Sequence, residues 1–282
     1  MIVDDALRSQ LNSLFQPLNT VAAAKAFPPP ASLSTALRKQ IPASGTTRRN
    51  LDPQIASYFA TAAVEIWLRG VHSFLVSVSL TQASPIWSAV SGYYSSHYTV
   101  RGLAHLLGYF QLFRDKRIAQ LALSSGRYIC TFDKKNGGDG EHKLYWKLVK
   151  RSASFAEEEL FTLNDPSSEE SDIRHRNHAN YSDHLASYLV FKPLDERALK
   201  DRIDYISKIA FDTPPIPRFS KFPDIEYVQV IAYHRLVSFR KFLDEIVGGK
   251  NRFWSVHRNP SFATNYINFQ LAEGAGLGQV LQ

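Results

Sequence analysis

The sequence predicts a mainly α protein with a small antiparallel β insertion. Apolar side chains recur at helical period over residues 52–110 and 194–247, whereas residues 117–149 break into short β-branched and aromatic runs around glycine-rich turns. Hydrophobic residues make up 44% and aromatic residues 12% of the 282, enough to bury a core and to exclude a wholly disordered chain. That length fits one large domain or two modest ones.

The elements follow in order. Residues 4–15 form an amphipathic helix, with Leu7, Leu11, Leu14 and Phe15 at helical spacing, and Pro17 stops it. From Pro28 to Arg49, prolines at both ends and a Ser/Gly/Thr run predict an extended arm carrying the basic cluster Arg38, Lys39, Arg48 and Arg49. Residues 1–50 are therefore read as a helix plus arm, and residues 51–282 as a helical domain with its β insertion at about 116–150.

Asp52-Pro53 is a helix start, a capping carboxylate followed by a proline in the first turn. Ile55, Phe59, Ala62, Ala63, Ile66, Val71 and Leu75 then keep the helical period. Ser84-Pro85 repeats the signal, and a second long helix is expected to about Phe110 on Trp87, Val90, Tyr94, Tyr98, Leu103, Leu106 and Leu107. Arg117 to Leu123 and Arg127 to Phe132 read as strands about Ser125-Gly126. A turn from Asn136 to Gly140 leads into a third run, His142 to Val149, whose alternation predicts another strand. These strands carry Lys134, Lys135, Lys143, Lys147, Lys150 and Arg151 beside Tyr145 and Trp146. After an acidic stretch between Glu157 and Asp172, helices are expected from Glu169 to Val190, Leu194 to Phe211 and Asp224 to Val247, the last closed by Gly248-Gly249.

Charge narrows the partners. Lys plus Arg number 33 against 26 acidic residues, a net charge of +7, which favours polyanions, nucleic acid first. The lone Cys130 excludes an internal disulfide framework and any Cys-rich zinc site, and points to a reducing compartment. No signal-peptide pattern opens the chain. The apolar stretch from Ile55 to Leu80 contains Glu65, Arg69 and His72, so it reads as a buried helix rather than a membrane span. The expectation is a cytoplasmic protein without membrane contact. Walker, Rossmann, HExxH, nucleophile-elbow and kinase signatures are all missing, and no histidine pair has a third ligand at metal spacing, so neither cofactor nor metal is expected.

Two helices carry unusual polar groups. In residues 91–110, His97, Arg101 and His105 lie four apart on one helix face of an otherwise apolar segment. They form either a solvated stripe or a line that faces an anion or partner. In residues 171–185, Arg174 precedes His178 by four, Arg176 precedes Asn180 by four, and His184 follows a turn later. An Arg fork clamps phosphate, and a histidine near neutrality moves protons. Together such groups cleave RNA without metal: a base takes the 2′-hydroxyl proton, Arg steadies the crowded phosphate, and an acid protonates the leaving 5′-oxygen. The alternative is a polar face paired with the neighbouring acidic segment.

The two helices resemble the HEPN superfamily (higher eukaryotes and prokaryotes nucleotide-binding domains). WSAVSGYYSSHYTVRGLAHLLG, residues 87–108, looks like the family's second helix, and Arg176-Asn177 looks like the Arg-plus-polar pair that opens its functional motif. The resemblance implies a helical bundle, often a homodimer with functional groups at the seam, and a role like that of bacterial toxins and antiviral defence proteins that attack RNA. It implies catalysis by Arg176 and Asn177, with His178, His184 or His97 supplying the imidazole. The chain departs from the family's Arg-to-His interval: His178 falls too early and His184 one residue too late, while Arg252 and His257 have the interval but lie beyond these helices. Arg101, Arg174, Lys143, Lys147, Tyr145 and Trp146 are the expected RNA contacts, since aromatics among lysines suit stacked bases and paired phosphates. Two other classes stay open. One is a non-catalytic scaffold that binds a partner protein of a defence system, and the other is a nucleotide sensor with His97, Arg101 and Arg176 around an anion.

Overall fold

The computed structural model describes residues 4–16, 47–112, 117–134, 141–152, 159–162, 196–212 and 224–246. Helix dominates these residues, and their strands form one antiparallel four-stranded sheet. The helix expected from Glu169 to Val190 and residues 28–46 of the arm expected from Pro28 to Arg49 lie outside the described residues, while the last three residues of that arm form part of a strand, Thr47–Leu51. The chain forms two compact units. The described residues of the first are 4–16, 47–66, 101–112, 117–134, 141–152 and 241–246, and those of the second are 67–100, 159–162, 196–212 and 224–240.

The first unit is built on the sheet. Helix α1 (Asp5–Leu14) is capped by the Asp4 carboxylate, which accepts from the Ala6 amide at 2.7 Å. It buries Leu11, Leu14 and Phe15, and the Tyr128 hydroxyl donates to the Leu14 carbonyl at 2.8 Å, tying the helix end to the sheet. The strands are β1 (Thr47–Leu51), β2 (Tyr109–Leu112), β3 (Arg117–Ser124) and β4 (Arg127–Lys134), in the order β1-β4-β3-β2. Ser125 (φ 50°) and Gly126 (φ 73°) join β3 to β4 with two positive φ values, the combination that matches strand twist in a two-residue hairpin. Asn50 (φ 57°) sits where the β1–β4 register shifts, and asparagine is among the few residues that accept this conformation.

Helices α2 (Gln54–Ser79) and α3 (Pro85–Leu106) begin at the expected signals: the Asp52 carboxylate accepts from the Gln54 amide at 2.9 Å, and the Ser88 amide bonds back to the Ser84 carbonyl at 2.9 Å. α3 stops four residues before the expected Phe110, because Gly108 (φ 85°) turns the chain into β2. The apolar run Leu106, Leu107, Tyr109, Phe110 crosses that break and hides it from periodicity. A larger correction concerns residues 142–149. They belong to helix α4 (Glu141–Lys150), because Leu144, Tyr145, Leu148 and Val149 bury one face while Lys143, Lys147 and Lys150 stay outside.

In the second unit, α5 (Glu159–Thr162) precedes α6 (Glu196–Asp212) and α7 (Asp224–Ile246), the last two close to their expected bounds. Ser77 and Ser88 each donate to the other's backbone carbonyl, at 2.8 and 2.7 Å. Glycines permit the close approach here: a Cβ at Gly70 would stand 2.9 Å from Thr99 Oγ1. The Arg235 side chain is wholly buried, and its Nε donates to the Leu160 carbonyl at 2.7 Å, fixing α5 against α7. α2 is long and apolar enough to cross a membrane, yet 78% of that stretch is buried within the protein.

Candidate functional site

The α4 helix separates two sets of residues that the sequence had grouped as one. Tyr145 and Trp146 are 0% and 2% exposed, so their rings belong to the core and offer no face to a base. Lys143, Lys147 and Lys150 lie at i, i+4 and i+7 on the exposed side, and Arg151 follows, also exposed. The ammonium groups therefore line one outward face about two turns long. Lys147 and Lys150 also occupy the last turn, where positive charge suits the helix dipole.

The polar stripe of α3 is likewise inside. His97, Arg101 and His105 are all buried, which corrects the reading of a solvated stripe. Their spacing does place them on one helix face, but that face is covered. In the second unit, His97 stacks on the Tyr93 ring, with centroids 6.2 Å apart and planes 12° from parallel, and meets Tyr98 at 5.7 Å. In the first, the Arg101 guanidinium lies 5.1 Å from the centre of the Tyr145 ring, a cation–π contact that anchors α4 from behind. The His105 ring meets the Tyr145 ring edge-on at 5.8 Å and Phe110 at 5.1 Å, and its Nδ1–H donates to the Tyr109 carbonyl at 2.8 Å. That bond leaves the lone pair on Nε2, which has no partner among the described residues.

Burial first, and then the nearby Arg101 charge, push the His105 pKa down to about 3, against a smaller opposing effect of the Tyr109 hydrogen bond. His105 is thus neutral at physiological pH and a weak base. The linkage has a definite sign. A folded-state value below the unfolded 6.5 gives stability that is complete above pH 6.5 and is lost as pH falls toward 3. Between pH 7 and pH 5 the loss from this group is about 2 kcal/mol. His105→Asn keeps a donor near Tyr109 and does not titrate, so its urea unfolding free energy should fall less over the same range, by about that amount; parallel curves would contradict this account.

The remaining expected site residues, Arg174, Arg176, Asn177, His178 and His184, lie outside the described residues. Among the described residues, no three His, Cys, Asp or Glu side chains are placed to hold a metal ion. Cys130 is buried in β4, and burial pushes its thiol up to about 12, far from a reactive thiolate.

Sequence reasoning missed a second location, a cavity of about 370 Å³ in the second unit, lined by Thr81, Gln82, Ala198, Asp201, Arg202 and Tyr205. Its wall is held by a continuous polar network. Arg202 Nη2 donates to Gln229 Oε1 at 3.1 Å, and Gln229 Nε2 donates to Thr81 Oγ1 at 2.8 Å, with the Ser88 hydroxyl at 3.2 Å. The Tyr205 hydroxyl donates to Glu226 at 2.8 Å, and the other Glu226 oxygen lies 3.9 Å from Arg202. Arg202 also stands 5.0 Å from the centre of the Tyr205 ring. No spacing in ERALKDRIDYISK distinguishes these residues from an ordinary wet helix face; the signal was the buried amide of Gln229 in the apolar run of α7. Comparison of the chain with family models, curated proteins and solved structures finds no match.

Proposed function

We propose that the protein targets RNA, gripping the phosphate backbone with the outward face of α4. One observation carries the reading: Lys143, Lys147, Lys150 and Arg151 are presented to solvent together, in a chain of net charge +7. Each lysine is a point charge suited to phosphate and indifferent to base identity, so contact at this face is strong at low salt and tolerant of sequence. The covered rings of Tyr145 and Trp146 serve to fix the helix that displays the lysines.

Within this reading the protein is HEPN-like, a cytoplasmic homodimer and a metal-independent endoribonuclease of the bacterial toxin or antiviral defence type. Arg176, Asn177, His178 and His184 carry the chemistry on sequence grounds. The ribose O2′ attacks phosphorus, the P–O5′ bond breaks, the 2′-hydroxyl proton goes to a histidine, and a second acid protonates O5′. His97 and Arg101 act instead as packing groups, an assignment that rests on their burial.

Charge reversal at Lys143, Lys147 and Lys150 to Glu should weaken binding of single-stranded RNA by about 100-fold or more at low salt. These are exposed positions, so far-UV circular dichroism should not change. Binding within twofold of the parent would reject the α4 face as the RNA contact. Cleavage is a separate question: Arg176→Ala should abolish cleavage that survives EDTA while binding persists.

A second reading is favoured by the same burial. His97, Arg101 and His105 are core groups, so their titratable and cationic chemistry is unavailable to a substrate. On that reading the protein is a non-catalytic HEPN-like scaffold or regulatory subunit, and α4 docks an acidic partner protein. Absence of cleavage by pure protein, together with a stable co-purifying partner that the Lys-to-Glu variant fails to hold, would decide for it.

A further inference from the structure

We propose that the cavity between the α2–α3 turn and α6 is a binding site for a guanine base. A space of about 370 Å³ lies within the range of small-ligand sites and accommodates a nucleoside. Its lining supplies the three things a planar heterocycle needs. The first is a stacking surface: the Tyr205 ring is 45% exposed, and its hydroxyl is anchored on Glu226 so that the ring is held ready. The second is a donor, the guanidinium of Arg202, which lines the cavity. The third is an acceptor, the exposed carboxylate of Asp201.

Electrostatics decide between base and phosphate. Arg202 contributes one positive charge, and Asp201 and Glu226 two negative ones, so the site repels a phosphate and suits a neutral ring. Among the bases, guanine offers O6 and N7 as acceptors for a guanidinium, and N1–H with the N2 amino group as paired donors for one carboxylate. Uracil gives a carboxylate a single donor, and adenine lacks the second donor beside its amino group. Arg202 is held in place by Gln229, which Thr81 and Ser88 hold in turn, so little ordering remains to be done on binding.

The base has two sources, a free nucleoside or an unpaired residue in RNA, and calorimetric titration of the full chain separates them. Guanosine and adenosine are compared directly, beside two hexanucleotides that differ only in a central guanosine or adenosine. A free-nucleoside site binds guanosine about tenfold or more tighter than adenosine, loses that preference in Asp201→Asn, binds both nucleosides more weakly in Tyr205→Ala, and ignores the Lys-to-Glu changes on α4. An RNA-reading site shows the tenfold preference in the hexanucleotides only. There, Asp201→Asn erases the preference, while the α4 changes weaken both oligonucleotides equally. No guanine preference in either form, or a preference that Asp201→Asn leaves unchanged, overturns the proposal. The guanosine arm keeps this outcome distinct from failure of the α4 interface.

Discussion

Gly108→Ala should lower the unfolding free energy by about 3 kcal/mol, and Gly108→Val by more. Gly108 is where the apolar run Leu106, Leu107, Tyr109, Phe110 changes from helix to strand. Its amide bonds to the His105 carbonyl at 3.0 Å, its φ is 85°, and its own carbonyl accepts from the Leu121 amide at 2.8 Å. One residue thus closes α3 and seats β3 beside it. An added Cβ would stand 2.5 Å from the Leu121 carbonyl oxygen, and backbone in a sheet cannot swing aside as a side chain can. Part of the cost is the left-handed conformation, which disfavours any L side chain, and the rest is the displaced strand. Urea unfolding followed by circular dichroism measures the sum, and a loss below 1 kcal/mol for Gly108→Ala would contradict this description. Because His105 and Tyr145 touch one turn away, the substitution should also disturb the support behind α4.

The second large effect is expected at Trp67, in the other unit. Its side chain is wholly buried, its ring stacks on Phe239 at 5.6 Å and 18°, and its indole N–H donates to the Leu236 carbonyl at 3.2 Å. Trp67→Ala should cost about 3–5 kcal/mol, the range for emptying a large aromatic site that only partly collapses. Trp67→Phe keeps much of the stack and loses the hydrogen bond, and should cost about 1–2 kcal/mol. The ordering of the two variants is as informative as their size. Equal losses would mean that the hydrogen bond, rather than the packing, holds α2 to α7.

The sequence made some boundaries legible because local chemistry decides them. Asp52-Pro53 and Ser84-Pro85 mark helix starts through capping and a fixed proline φ, and Ser125-Gly126 marks a hairpin through its positive φ values. These signals act over a few residues, so tertiary packing leaves them intact. β1 and β2 were hidden for the opposite reason. Thr47–Leu51 has no apolar alternation and becomes a strand only by pairing with β4, and Tyr109–Leu112 continues the apolar run of α3.

Residues 142–149 show how a period can mislead. Lys143, Tyr145 and Lys147 alternate with Leu144, Trp146 and Leu148, which reads as a strand with one charged face. Leu144 with Leu148, and Tyr145 with Val149, repeat every fourth residue and fit a helix equally well. Burial of adjacent residues, Tyr145 beside Trp146, breaks the tie, because a strand would send them to opposite faces.

For the candidate site, spacing identified which residues share a face and was silent on what covers it. His97, Arg101 and His105 align as expected, yet tyrosine and phenylalanine rings lie over them. The cavity was illegible for a related reason. Thr81, the Arg202 and Tyr205 pair, and Gln229 come from three separate segments, and each is unremarkable in its own neighbourhood.

The most direct measurement is the salt dependence of single-stranded RNA binding by the parent protein and by the variant with Ala at positions 143, 147 and 150. If the three lysines each neutralise a phosphate, the slope of log affinity against log salt should fall in magnitude by about 2 in the variant, with helix content unchanged. Equal slopes and equal affinities would place the RNA elsewhere and contradict the account.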